Sequence, residues 1–309
     1  MRKILLTCPP MIGISDLLKE KYAEYNFDIT IPEFTQIVPE KDLKEIIANF
    51  DGWIIGDDPA SRAVFEKAKQ GRLVAAVKWG VGVDNVDFQA CAEFGIPIEN
   101  TPGMFGNEVA DVAIGYIILL ARQLHIIDQH VRKGNWYKYR GISLVGKKAL
   151  VIGYGDIGKN TVKRLLAFGI DTYIYDPYTT IENCKAVKWP LGIANMDFLV
   201  FTCKLTTENY HMFDKNALAQ CKAGVYIINV ARGPLIDEKI LIDGLKSGII
   251  GGAGLDVFEN EPIARNCALF DFSNVILGSH NGSNTEEAVF RTSLLSLNIL
   301  HKLLEGIKK

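Results

Sequence analysis

The 309-residue sequence has almost no charge bias: 34 lysines and arginines stand against 36 aspartates and glutamates, a formal net charge of −2. Such a balance gives no bulk attraction to nucleic acid or to an anionic membrane, and the basic residues are spread rather than clustered. Long apolar runs are missing too. Ile4-Leu5-Leu6 is too short for a secretory signal, and the apolar stretch from Val109 to Leu120 is interrupted by Asp111 and too short to cross a bilayer. A soluble, cytoplasmic protein is the expectation. The six cysteines (Cys8, Cys91, Cys184, Cys203, Cys221 and Cys267) form no C-x-x-C pair, and the histidines at 125, 130, 211, 280 and 301 show no zinc spacing. Reduced core thiols and no metal are therefore expected.

What the chain does have is length for about two domains and one highly ordered stretch. Ala149-Leu150-Val151-Ile152 reads as a buried strand entering the turn Gly153-Tyr154-Gly155-Asp156-Ile157-Gly158, with a helix expected over 159–168. Gly153 permits the sharp turn, Gly155 lets backbone approach a diphosphate, and Gly158 lets the helix pack closely on its strand. Free N–H groups of Asp156, Ile157 and Gly158 at the helix start favour an anion. A second strand, Thr172-Tyr173-Ile174-Tyr175, ends at Asp176, about 20 residues beyond the glycines, where an acid can accept hydrogen bonds from a ribose. The acid repels a ribose 2′-phosphate and Pro177-Tyr178-Thr179-Thr180 supplies no arginine, so NAD is expected over NADP.

Short apolar runs alternate with helical patterns along residues 1–100, which predicts a parallel sheet covered on both faces. One strand end there, Lys78-Trp79-Gly80-Val81-Gly82, offers a cation and a backbone nest for a small carboxylate. A long apolar helix is expected from Asn107 to His125, with Arg122 and His125 serving its C-terminal dipole. The segment from Gly134 to Gly141 is an aromatic arm. Beyond Asp176, four further strands each end in residues capable of chemistry: Cys203-Lys204-Leu205-Thr206-Thr207, Val230-Ala231-Arg232, Asp256, and His280-Asn281-Gly282. In a parallel sheet those ends open on one side, where ligands sit.

The stretches Asn229-Val230-Ala231-Arg232-Gly233-Pro234-Leu235-Ile236-Asp237, Gly254-Leu255-Asp256-Val257-Phe258-Glu259-Asn260-Glu261-Pro262 and Gly278-Ser279-His280 resemble the NAD-dependent D-isomer-specific 2-hydroxyacid dehydrogenases, most of all the phosphoglycerate dehydrogenase-like branch. The likeness takes in Lys78–Asp87 and Gly153–Asp176, and so nearly the whole chain.

The resemblance implies two doubly wound α/β domains: a flavodoxin-like substrate domain, 1–100 plus 284–309, and a Rossmann NAD domain, 101–283, with the active site in a cleft and a homodimer as the assembly. It implies hydride transfer between NAD and a small D-2-hydroxy or 2-oxo acid, 3-phosphoglycerate being one candidate. Arg232 would hold the substrate carboxylate and polarise its carbonyl. His280 would be the acid/base and Glu261 its carboxylate partner. Asp256 would orient the nicotinamide. Gly153, Gly155, Asp156, Ile157, Gly158, Asp176, Cys203, Lys204, Thr207, Val230, Ala231, His280 and Gly282 would complete the cofactor site. Lys78, Gly80, Val81 and Gly82 would meet the substrate, with Arg232 and His280.

Ser279 in place of a common proline, and Lys204-Leu205 in place of Leu-Pro, are departures from the pattern. No regulatory domain is expected after Lys309. A corepressor-like NAD(H) sensor on the same scaffold is the main alternative. A formate dehydrogenase-like enzyme fits less well, since glutamine stands there at the Glu261 position.

Overall fold

A computed structural model describes residues 1–180 and 184–306. In chain order the main elements are β1 (Arg2–Leu6), α1 (Pro9–Gly13), α2 (Lys19–Glu24), β2 (Phe27–Thr30), α3 (Glu40–Ile46), β3 (Gly52–Ile55), α4 (Arg62–Lys69), β4 (Ala75–Lys78), α5 (Phe88–Phe94) and β5 (Ile98–Asn100). They continue as α6 (Gly106–Arg122), α7 (Leu124–Arg132), β6 (Lys148–Ile152), α8 (Asp156–Ala167), β7 (Asp171–Tyr175), β8 (Lys185–Ala186) and β9 (Phe198–Phe201). Last come α9 (Lys215–Gln220), β10 (Val225–Asn229), α10 (Glu238–Ser247), β11 (Ile250–Leu255), β12 (Val275–Leu277) and α11 (Glu286–Gly306).

Packing divides the chain into two compact units, Met1–Met104 with Asn284–Lys309, and Phe105–Ser283. The first unit holds a parallel sheet of order β2-β1-β3-β4-β5, a doubly wound order with its switch at β1/β3. Strands β3 and β4 are buried along their whole length, as expected for strands covered on both faces. The second unit holds a seven-stranded parallel sheet, β12-β11-β10-β9-β6-β7-β8, whose order reverses between β6 and β9, the Rossmann switch point. Its core joins Leu150, Leu199, Phe201, Phe213, Ile227 and Leu255. Because every pair in it is parallel, the C-terminal ends of β6, β9, β10, β11 and β12 share one edge.

Several boundaries differ from the sequence reading for local reasons. The helix expected from Lys159 starts at Asp156, because Gly155 is its N-cap and Lys159 N–H already bonds Gly155 O at 2.9 Å. The helix expected to run to His125 stops at Arg122, where Gln123 turns left-handed (φ 49°), and α7 follows at once. His125 therefore lies in the first turn of a new helix, its Nε2 3.2 Å from Ser273 O, and does not cap the long one. Ahead of β2 the chain forms a 3₁₀ turn, Ser15–Leu18, followed directly by α2.

Among the described residues no single helix is long and apolar enough to cross a membrane. Phe201 is fully buried and packs edge-on against Phe213 at 6.2 Å. Phe201→Ala should cost about 3–5 kcal/mol, whereas the exposed Tyr178→Ala should stay within about 0.5 kcal/mol; urea unfolding measures both.

Candidate active site

The glycine turn is built by two close approaches. Gly153 has φ +98°, and a Cβ there would lie 2.6 Å from the Cys203 backbone, so the β6 and β9 ends can meet only over a glycine. A Cβ on Gly158 would overlap Gly153 O, which is the tight helix-on-strand packing expected. Gly155 is different: a Cβ there would enter open space at an ordinary φ of −76°. Packing does not demand glycine at 155, and nothing in the fold opposes a close approach of this backbone to a diphosphate.

Asp176 closes this corner. Its Oδ2 accepts the Tyr154 N–H at 2.6 Å and its Oδ1 those of Tyr178 and Thr179 at 2.8 and 2.9 Å. Partial burial works to raise its pKa, but the three backbone donors outweigh it and hold the carboxyl below the usual range. An ionised acid with acceptor capacity to spare fits a ribose diol and opposes a 2′-phosphate. Cys203 is a neutral neighbour: burial pushes its thiol up to about 12. Asn209, which the sequence reading passed over, organises the loop after β9 by accepting from Thr206 N–H (2.7 Å) and donating to Lys204 O (2.8 Å), leaving Lys204 and Thr207 exposed. An Asn three residues beyond a Thr in a loop was the available signal.

On the other side of the switch point, Asn229, 1 % exposed at the end of β10, accepts the Ala231 N–H (3.1 Å) and donates to Arg232 O (2.8 Å). This clamp presents Val230, Ala231 and Arg232 in order, and the half-buried Arg232 donates Nη1 to Ala231 O at 2.8 Å. A Cβ on Gly233 would overlap the Phe258 carbonyl, so glycine lets the loop after β10 lie against the loop after β11.

Asp256, 3 % exposed, holds the histidine loop. Its carbonyl accepts His280 N–H (2.7 Å), Oδ1 accepts Asn281 N–H (3.1 Å), and Oδ2 accepts Gly282 N–H (2.8 Å). Tyr116 of α6 donates its hydroxyl to Oδ1 at 3.4 Å; burial, then Asp256, raises its pKa. Tyr116 was read only as an apolar helix residue. His280 takes φ +55° and sets its Nδ1 2.7 Å from Glu261 Oε2, while Glu261 Oε1 accepts Phe258 N–H at 2.9 Å. His280, Glu261 and Asp256 thus come together, and Gly233 ties the Arg232 loop to Phe258 beside them.

In the first unit, Lys78 ends β4 with its Nζ 2.7 Å from Gly56 O and 3.1 Å from Asp57 Oδ1. The nest expected over Gly80, Val81 and Gly82 is narrower than the sequence suggested. Gly80 gives its N–H to Thr101 Oγ1 at 2.7 Å, leaving the Val81 and Gly82 amides without a partner among the described residues.

Residues 114–282 match the family model described as D-isomer specific 2-hydroxyacid dehydrogenase, NAD binding domain. The hydroxypyruvate reductase of Thermotoga maritima is 35 % identical over 92 % of this chain and 94 % of its own length. The chain belongs to the D-isomer-specific 2-hydroxyacid dehydrogenase family. The family's NAD-binding domain is accordingly the one built on the seven-stranded sheet. The D-3-phosphoglycerate dehydrogenase of Methanocaldococcus jannaschii is 33 % identical over 96 % of this chain. The chain spans about half the length of the phosphoglycerate dehydrogenases it matches, 57 % of that one and 45 % of a chloroplastic enzyme of Arabidopsis thaliana. Among solved structures, the apo D-lactate dehydrogenase of Escherichia coli superposes with a TM-score of 0.84 at 30 % identity, over 99 % of this chain and 98 % of that one.

The two glycines make opposite predictions. Gly158→Ala should lower the urea midpoint, whereas Gly155→Ala should leave it unchanged and weaken NADH binding at least about tenfold, roughly 1.4 kcal/mol, by fluorescence titration.

Proposed function

We propose that the protein is an NAD-dependent dehydrogenase that interconverts a small D-2-hydroxy acid and its 2-oxo acid. The observation that carries this reading is the Nδ1–Oε2 hydrogen bond between His280 and Glu261 at a strand edge shared with the glycine turn. The glycine turn, Asp176, Val230 and Ala231 would hold NAD, which would supply or accept the hydride. Asp256, beyond holding the loop, has a lone pair left to orient the carboxamide.

Each protein group then has one task. With Nδ1 engaged by Glu261, the opposite nitrogen, Nε2, exchanges the proton: it gives one to the carbonyl oxygen as hydride adds to carbon, and takes one from the hydroxyl in the reverse direction. Glu261 fixes the orientation of the ring. Arg232 engages the carboxylate with its planar fork and draws electron density from the carbonyl. We read the first unit as the substrate domain, on its Val81 and Gly82 amides beside Lys78.

A homodimer and a cytoplasmic setting complete the proposal. No residue of α7 is buried, and the adjoining arm exposes Trp136, Tyr137 and Tyr139, which supports a second copy covering this surface. Six free thiols suit a reducing compartment. Light scattering should give the mass of two chains, reduced to one by Trp136→Glu combined with Val131→Glu.

The deciding assay is NADH oxidation with a panel of 2-oxo acids, followed by NADPH in its place. Turnover with NADH, at least about tenfold weaker kcat/KM with NADPH, and a loss of about 10²–10⁴ in kcat for His280→Ala are expected. Arg232→Ala should lower kcat/KM for every acid. Reduction needs His280 protonated, so its rate should fall as pH rises while oxidation gains; a flat profile from pH 6 to 9 would remove His280 from the role. NADH binding without turnover of any acid would favour a nucleotide sensor.

A further inference from the structure

Apart from the residues of the candidate active site, three side chains able to ligate a metal meet although the sequence keeps them far apart. They are His211, Asp237 and Glu259, in the loops after β9, β10 and β11, and one ligand atom of each lies within 4.8 Å of the other two. The scaffold fixes all three. His211 gives its backbone N–H to Pro234 O (2.8 Å), Phe213 and Ile236 form a parallel bridge, and Asp237 N–H bonds Phe213 O (3.1 Å), so the two segments run as one paired unit. Asp237 Oδ1 caps α10 at Ile240 N–H (3.2 Å), and Glu259 Oε1 accepts Glu238 N–H (3.0 Å). The Tyr210 ring stacks on the imidazole at 4.1 Å and sets its plane.

The imidazole nitrogens carry the argument further. Nε2 is shut off from solvent and lies 2.8 Å from Glu259 Oε1, yet the two make no hydrogen bond. At that distance only direction can fail, so the carboxylate oxygen stands to one side of the line along which Nε2 carries its hydrogen or lone pair. Hydrogen-bonded groups point at each other, whereas two ligands of one ion point at a third position. Nδ1 is 3.8 Å from Asp237 Oδ2, too far for a hydrogen bond. Among the described residues neither acid pairs with a lysine or arginine; His211 is the basic group beside both. The three side chains keep 26 to 30 % of their surface exposed, enough for an ion to enter and hold water as its remaining ligands.

We propose that His211, Asp237 and Glu259 form a site for one divalent transition-metal ion of the zinc or manganese kind, which fastens the loops after β9, β10 and β11 together. Two ligands facing each other across such an ion lie about 4.2 Å apart, so the set closes only by about half an ångström on binding. A mixed nitrogen and oxygen set favours an ion that accepts imidazole over calcium or magnesium, which take oxygen. The role is to brace the loops that carry Arg232 and Glu261, and it goes beyond the dehydrogenase reading without depending on it.

The test uses the whole chain, stripped with a chelator and titrated by calorimetry with Zn²⁺, Mn²⁺ and Mg²⁺. One Zn²⁺ or Mn²⁺ per chain, far weaker Mg²⁺, and a Tm that rises with ion concentration are expected. Glu259→Gln and His211→Gln should each weaken binding at least about tenfold. Cys267→Ser, whose thiol lies 3.8 Å from Glu238 Oε1, should leave it unchanged. Cobalt(II) on the unmutated chain gives a reading that needs no variant: d–d absorption without a thiolate charge-transfer band is expected, and a thiolate band overturns the proposal. So does the absence of any binding with Kd below about 0.1 mM, Mg²⁺ bound as tightly as Zn²⁺, or binding that both Glu259→Gln and His211→Gln leave intact, which marks an adventitious ion only.

Discussion

The candidate site depends on one buried carboxylate. Asp256 sits 3 % exposed at the end of β11, where an unpaired charge would cost several kcal/mol. It is tolerable because two loop amides and a tyrosine hydroxyl converge on it. The dependence is mutual. The segment 280–282 has no regular structure of its own, and His280 is a non-glycine residue in the left-handed region, a conformation that persists only where surroundings impose it. Asp256 imposes it, using its carbonyl on residue 280 and its side chain on residues 281 and 282. The position of the imidazole is thus set from a strand end rather than by the loop.

The run Phe258-Glu259-Asn260-Glu261 adds a division of labour between two acids two residues apart. Glu259 Oε1 accepts the Glu238 N–H at 3.0 Å, at the start of α10, and lies 2.8 Å from His211 Nε2. It ties the loops after β10 and β11 to each other, with His211 of the loop after β9 close beside it. Glu261 turns the other way and takes His280. One acid holds the scaffold together while the other holds the histidine. Swapping their tasks would require the loop to twist about Asn260, which the bond from Phe258 N–H to Glu261 opposes.

Much of this was legible from residue order. Period and punctuation mark β3, α5 and β12, each of which lies between breakers: Asp51 and Gly56, Asp87 and Gly95, Asn274 and Gly278. The ends of strands carried the chemistry, because parallel pairing puts them on one edge whatever the loops do. What escaped was of two kinds. Tertiary hydrogen bonds left no local trace: nothing around Gly80 announces that Thr101, 21 residues on, will take its amide, or that Tyr116 will reach Asp256 across 140. Breaks without a breaker residue were also invisible, as at Gln123, where neither glycine nor proline marks the left-handed turn between α6 and α7.

An acid inside an anion-binding turn looks like a contradiction, and Asp156 resolves it by where its side chain goes. A carboxylate projecting into the turn would cancel much of the field that the free amides and the start of α8 provide for a diphosphate. Instead it lies against the first residue of α6: a Cβ on Gly106 would overlap the Asp156 carboxylate, and Asn160 donates to its Oδ1 at 3.2 Å. The negative charge is absorbed by the N-terminus of a neighbouring helix, where the dipole stabilises it, and the amides of its own turn keep their field. Gly106 is the condition for that arrangement, so a glycine 50 residues upstream helps to shape the field of the glycine turn.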